Sequence, residues 1–442
     1  MAEHLSLYMP EWLAYTLAAL VHAFLLINVI AVGALFFIWQ ERKVCGRIQD
    51  RLGPTRVGGK FGWLQTLADG VKLLSKEDTM PKGADGLLFR MAPYISFCAS
   101  FAAFMVLPFS SGYSAIGSTI GAFLILALLG LEVFGVILAG YASGSKWSLF
   151  GGMREAAQVV SYEVPLGLSV IVPVVVAGTM DLTVIGDMQR GWFTNWFLFH
   201  DPFTFITFWV FFTCATASVN RAPFDLAEAE SELVAGFHTE YSGLRWSFFF
   251  MAEYGSMFLV SGIGVVLFLG AWHGPIPILE PLAYQARGEV FHWGGFIANI
   301  AGVANFILKA VVLVTVMMWV RWTLPRLRID QVMKTCLKYC MPIVCFTFLG
   351  ATIWSYFVPG GLFLKPAQPY GAVRDFSAEY LQPPLPAGRA AEATPAPAAE
   401  PSHHAAAADP VHADPVQAGP AQAAVPQVAG RLTDAPSLEA RP

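Results

Sequence analysis

Residues 116–140 read IGSTIGAFLILALLGLEVFGVILAG, 25 positions with one ionisable side chain, Glu132. An apolar run of about 20 residues is what a helix needs to cross a bilayer at about 1.5 Å per residue. Seven more such runs flank it, at 14–39, 90–109, 157–178, 203–219, 246–270, 296–320 and 339–358. The composition agrees: of 442 residues 56% are hydrophobic and 13% charged, where soluble domains carry roughly a quarter charged. A soluble globular enzyme is thereby excluded. A nucleic-acid binder is excluded too, because 27 Lys and Arg face 31 Asp and Glu and no basic excess is left to track phosphates. The expected fold is an all-α polytopic membrane protein of about eight transmembrane helices.

Loop charge orients the bundle. The connections after the first, third, fifth and seventh runs hold 19 basic residues, the opposite ones only Arg190 and Arg287. The positive-inside rule then puts the basic loops in the cytoplasm and both termini on the outer side. The opening MAEHLSLYMPEW lacks a basic n-region, so the first run is expected to remain as a span. Residues 1–365 form the expected bundle. Residues 366–442 differ, with Ala and Pro at 36 of 77 positions, and are expected to be a disordered tail. Its His403, His404 and His412 are a weak metal signal. Cys45, Cys98, Cys214, Cys336, Cys340 and Cys345 form no CxxC pair and are read as packing residues, not disulfides or cluster ligands.

In the first basic loop Trp63, Leu64, Leu67, Val71 and Leu74 recur at helical spacing among Gln65, Asp69, Lys72 and Lys76, which predicts an amphipathic helix at the membrane surface. The same loop begins ERKVCGRIQDRLGPTRVGG, where Gly53-Pro54 and Gly58-Gly59 set tight turns between arginines. A positive-inside loop explains the charge but not that order, which suggests a structured wall. There is no G-x-G-x-x-G after a strand, no Walker loop and no H-E-x-x-H.

Ionisable residues inside the spans carry the chemistry, because each costs roughly 2.5–3.5 kcal/mol to insert. Glu132, Glu163, Glu253 and Lys309 lie roughly 12, 9, 10 and 17 Å from the cytoplasmic ends of their spans. One such acid alone reads as a helix-end group reaching for water. Four on four helices, all approached from one side, suggest a buried polar path. After the fifth run comes RAPFDLAEAESELVAGFHTEYSG. Pro223 suits a helix start, and Asp225, Glu228 and Glu232 then share one face while Glu230 points elsewhere. Arg221 and Arg245 flank these acids.

Taken together, ERKVCGRIQDRLGPTRVGG, LADGVKLLSKED, LAGYASGSKWSLFGGMREAAQVVSYEVPLGL, NRAPFDLAEAESELVAGFHTEYSG, FFFMAEY and WVRWTLPRLRIDQ closely resemble the NuoH-type family, the H subunits of respiratory complex I, the proton-pumping NADH:quinone oxidoreductase. The likeness covers about residues 10–358. It implies a subunit that joins a peripheral redox arm to a membrane arm, with no complete redox site of its own. It also implies a quinone chamber, for ubiquinone as substrate, at Arg42, Arg51, Arg56, Asp69 and Lys72. The acidic path it implies runs through Glu155, Glu163, Asp225, Glu228, Glu230, Glu232, Glu240 and Glu253, with Lys309 in the seventh span. NADH, FMN and iron–sulfur clusters would belong to partner subunits. Thr55 departs from the family's usual Asn before Arg56. A homologous membrane subunit of a membrane-bound hydrogenase stays open as the near alternative, and a self-contained proton or cation antiporter as the distant one.

Overall fold

Each predicted span falls on a helix. The computed structural model describes residues 10–111, 113–227, 230–276, 293–358 and 362, and every regular element among them is helical. The spans are α1 (Glu11–Ile48), then, after the surface helix α2 (Gln65–Ser75), α3 (Gly86–Val106), α4 (Gly121–Ala142) and α5 (Lys146–Ala177). The short α6 (Leu182–Met188) precedes α7 (Pro202–Ser218), and the one-turn α8 (Glu230–Leu233) precedes α9 (Gly243–Phe268) and α10 (Trp293–Thr323). Last come α11 (Ile329–Lys334) and α12 (Met341–Phe357), joined through a π-turn at Thr335–Cys340. Among the described residues seven helices are long and apolar enough to cross a membrane, with α11 through α12 counted as one, and α7 is a shorter apolar helix. The predicted tail, residues 366–442, lies outside the described residues.

Local chemistry sets the helix ends. Asp201 caps α7 by accepting from the Thr204 N–H at 2.6 Å, and Pro202 fills the first helical position, where no N–H is needed. Gly178, at φ 72°, closes α5 in the left-handed conformation. Two helices overrun their predicted spans on the basic-loop side. α1 continues nine residues past position 39, and α5 starts eleven before position 157. Charge marks the edge of the bilayer, whereas the backbone stays helical wherever packing supports it. These overhangs place Glu41 and Glu155 on rigid helices.

α9 forms the centre of the bundle. Its most apolar stretch is 83% buried, against 22% for α1, and it packs on α1, α3, α7 and α10. α4 and α5 meet through glycine, as membrane helices do when backbones approach closely. A Cβ at Gly140 would lie 2.8 Å from the Ser148 carbonyl.

The acidic loop corrects the sequence reading. Asp225 and Glu232 do not share a helical face. Residues 221–227 run through turns, and among the described residues of the loop α-helix is limited to the single turn of α8. Phe224, Leu226 and Ala227 are buried, so apolar burial pulls this stretch into the core and overrides the helical spacing of its acids. Val234 at φ 66° then ends the turn. Glu228 lies outside the described residues.

Candidate functional site

On the basic-loop side the expected surface helix forms at Gln65–Ser75, with Leu67, Val71 and Leu74 exposed along its apolar face. Arg42, on the overhang of α1, pairs with Asp69 of α2 at 2.6 Å, and Lys72 pairs with the same carboxylate at 3.2 Å. Partial burial pushes the Asp69 carboxyl up, but the Arg42 and Lys72 contacts prevail and hold it below the usual range. Gly53 and Gly58, at φ 67° and 84°, make the tight turns their sequence predicts. Lys43 secures the first turn by donating to the Leu52 and Pro54 carbonyls at 3.3 and 2.8 Å. Three of the five predicted quinone-site residues thus meet. Arg51 instead binds locally, to Gln49 at 2.9 Å and the Cys45 sulfur at 3.3 Å, and Arg56 is exposed. Beside this loop a groove of about 550 Å³ runs between α1 and α10, lined by Val44, Ile48, Val312, Val316 and Trp319, with Lys43 and Arg47 at its rim.

Behind the loop lies an ionic hub that joins four parts of the chain. Arg221, only 4% exposed, reaches Glu41 of α1 at 3.2 Å and Glu253 of α9 at 3.0 Å. Its guanidinium stacks 4.5 Å from the Tyr254 ring centre. The Tyr254 hydroxyl donates to Glu41, and Arg321 of α10 pairs with the same carboxylate. Burial opposes the charge on Arg221, but the carboxylates of Glu253 and Glu41 more than offset it. Sequence reasoning missed Glu41 and Arg321. The one available signal was an acid immediately ahead of a basic run.

From the hub an acidic track enters the bundle. A cavity of about 40 Å³ is lined by Glu132, Ser218, Asn220, Glu253 and Ser256 together with Leu129, Val133 and Val219. That volume has room for about three water molecules at roughly 10–15 Å³ each. The Ser256 hydroxyl donates to Glu132. On the other side Asn220 donates to Glu155 at 2.7 Å. Glu163 sits over Gly130, where a Cβ would lie 2.8 Å from its carboxylate, so the glycine makes room for the acid.

The remaining predicted positions divide. Glu232 is half exposed and pairs with Arg154 at 2.6 Å and Arg326 at 3.5 Å. Its hydrogen bond from Arg154 holds the carboxyl below its ordinary range. It therefore clamps the surface of the loop. Glu240 is half-buried beyond the acidic turn. Lys309 stands apart from the track. Its ammonium donates to the Leu269, Ala271 and His273 carbonyls at 2.6, 3.1 and 2.5 Å, at the far end of α9, about 24 Å along the helix from Glu253. It also lies 4.4 Å from the Trp196 ring centre. The backbone of Lys309 lies midway along α10, and its side chain carries the ammonium to these carbonyls.

His238, in the 3-10 turn Gly236–His238, has its Nδ1 shut off from solvent. Burial pushes its imidazole down to about 4, against the opposing pull of Glu253 and Asp225. Between that value and the ordinary one near 6.5 the unfolded chain binds the proton and the folded chain does not. Stability is therefore complete above pH 6.5 and falls as the pH drops toward 4, by up to roughly 3 kcal/mol. A His238→Asn variant is expected to lose that part of the acid sensitivity, seen as a smaller drop in thermal midpoint between pH 7 and pH 4.5. An undiminished drop would show that another group is responsible.

Residues 21–352 match the family model described as NADH dehydrogenase. The chain is 44% identical over 333 residues to a Chlorobium luteolum protein, covering 75% of this chain and 87% of that one. It is 42% identical over 353 residues to an Anaeromyxobacter dehalogenans protein (79% and 84%). A Geobacillus kaustophilus protein is 44% identical over 319 residues (72% and 88%). All three are named as the H subunit of NADH-quinone oxidoreductase. By this match and these identities the chain belongs to the NADH dehydrogenase family, among relatives bearing that name.

Proposed function

We propose that this protein is a membrane subunit of a proton-translocating NADH:quinone oxidoreductase, that it helps form the quinone chamber, and that it couples quinone reduction to proton movement through buried carboxylates. One observation carries the reading. Glu155, Asn220, the polar cavity, Glu253, Arg221 and Glu41 form a contiguous polar track between apolar helices. A pure membrane anchor would bear the insertion cost of such a track for no return.

In this reading the quinone headgroup, preferably ubiquinone, docks near Arg42, Asp69 and Lys72, with Arg51 and Arg56 at the loop surface. The groove between α1 and α10 suits an apolar tail arriving from the bilayer. Among the described residues no three His, Cys, Asp or Glu side chains stand close enough to hold a metal, and no electron step is assigned to them. Electrons come to the quinone from an iron–sulfur subunit of the peripheral arm, which also carries NADH and FMN chemistry. The dianionic demand of a reduced headgroup draws protons, and the carboxylates of Glu155, Glu163, Asp225, Glu132 and Glu253 change charge in response. That change biases proton channels in adjoining membrane-arm subunits. Glu228 and Glu230 extend the set, while Glu232 and Glu240 serve its surface. The chain would lie in the bacterial inner membrane with both termini periplasmic.

Glu163→Gln or Glu228→Gln is expected to lower coupled quinone reductase activity roughly tenfold in a complex that still assembles, a loss of about 1.4 kcal/mol of coupling at the rate-limiting step. The measurement is NADH:quinone reductase activity and proton uptake in inverted membrane vesicles. Full activity and full pumping in both variants would sink the proposal.

A further inference from the structure

We infer that Asn220 is a positioning residue that holds Glu155 as a hydrogen-bond acceptor where the acidic track meets the cavity of Glu132 and Glu253. The inference rests on the proton-coupling reading above and deepens it. Its basis is the direction of a short hydrogen-bonded chain. The Ala217 carbonyl of α7 can only accept, so the Gln158 amide must turn its Nε2 toward it, at 2.7 Å. The same Nε2 lies 3.0 Å from Asn220 Oδ1. Asn220 therefore presents oxygen to Gln158 and its Nδ2 to Glu155 Oε1, at 2.7 Å. A flipped Asn220 would set N–H against N–H on one side and oxygen against carboxylate on the other. A backbone carbonyl thus fixes the polarity of the whole chain, and Glu155 is left with an N–H to accept.

The backbone places Asn220 for this role. It stands just beyond α7 at φ 51°, a left-handed conformation that Asn, Asp and Gly adopt more readily than other residues. The next residue, Arg221, turns the other way into Glu41 and Glu253. One tight turn therefore addresses Glu155 on one side and the ionic hub on the other, while Asn220 itself lines the cavity. A carboxamide does not give up a proton at physiological pH, so Asn220 sets the state of its neighbour and is not itself a carrier.

The left-handed backbone also supplies the test, because Asn220→Asp and Asn220→Gly both keep the turn. The Asp variant is isosteric and still accepts from Gln158, but it sets a second carboxyl group against Glu155, and two carboxyl groups at hydrogen-bond distance share a proton. In the assembled complex, in inverted vesicles, Asn220→Asp is expected to move the pH midpoint of coupled quinone reduction upward by about one unit or more. A protonated-carboxyl stretch absent from the parent should appear in infrared difference spectra. Asn220→Gly is expected to lower the coupled rate several-fold with no such band. The neighbouring Glu132, His238, Glu253, Arg221 and Asp225 are unchanged in both variants, so a moved profile reports on position 220. An assembled Asp variant with the parent's profile and spectrum would overturn the inference. Should Asp fail to assemble, a Gly variant with the parent's coupled rate would overturn it. Glu155→Gln separates the two levels. If that variant couples normally, the path reading fails at this carboxylate. If it couples poorly while Asn220→Asp keeps the parent profile, only the role of Asn220 falls.

Discussion

Arg221→Met is expected to cost the folded bundle about 3–5 kcal/mol, the scale for removing one partner of a buried ion pair, and to cut the amount of assembled complex in membranes several-fold. Methionine fills similar space, so the loss is electrostatic, not steric. Arg221 is 4% exposed and stands between Glu41 and Glu253. Without it Glu253 loses the guanidinium 3.0 Å away, and Glu41 keeps Arg321 and the Tyr254 hydroxyl. The double variant Arg221→Met, Glu253→Gln removes the stranded charge and is expected to recover about half of the loss, because the charge of Glu41 is still partly matched. Native gel quantitation of the complex and its thermal midpoint in detergent measure both effects. A single variant that assembles and melts like the parent would show that the hub adds nothing to stability.

Four segments distant in sequence meet in this hub, which is why it was illegible before the fold was known. Glu41 and Arg221 are 180 residues apart, and Glu41 and Arg321 are 280 apart. Nothing local marks such a pairing. The spans were legible for the opposite reason: the bilayer imposes a length and an apolarity that act within each segment. The surface helix α2 was legible from its period, since one face stays polar. The acidic loop misled because its carboxylates repeat at helical spacing while the energetic decision belongs to Phe224, Leu226 and Ala227, which are buried. Of the site itself, the residue types were readable. The partners that decide their roles were not: Asn220 for Glu155, Ser256 for Glu132, Arg154 for Glu232.

The two ends of α9 do different work. Its first half carries Glu253 and Tyr254 within the ionic hub, in contact with groups of α1 and α10. At its far end the Lys309 ammonium takes up the Leu269, Ala271 and His273 carbonyls. Glu253 lies inside α9, and no proline interrupts the helix between it and the far end.

Lys309→Met tests the anchor. The substitution keeps the apolar stem and removes the ammonium that gathers the Leu269, Ala271 and His273 carbonyls. Those carbonyls lie at and just beyond the C-terminus of α9, where the helix dipole favours a cation. The contact with the Trp196 ring goes with it. Three charge-assisted hydrogen bonds at a half-buried site are expected to be worth about 3 kcal/mol together, less than their separate values, because they share one donor group. The variant should therefore melt several degrees lower in detergent and show faster amide exchange at 269–273. The pH profile of coupled quinone reduction should keep its midpoint in whatever complex assembles, since Lys309 lies about 24 Å along α9 from Glu253. A shifted midpoint with unchanged melting would reverse the assignment and return Lys309 to the proton track.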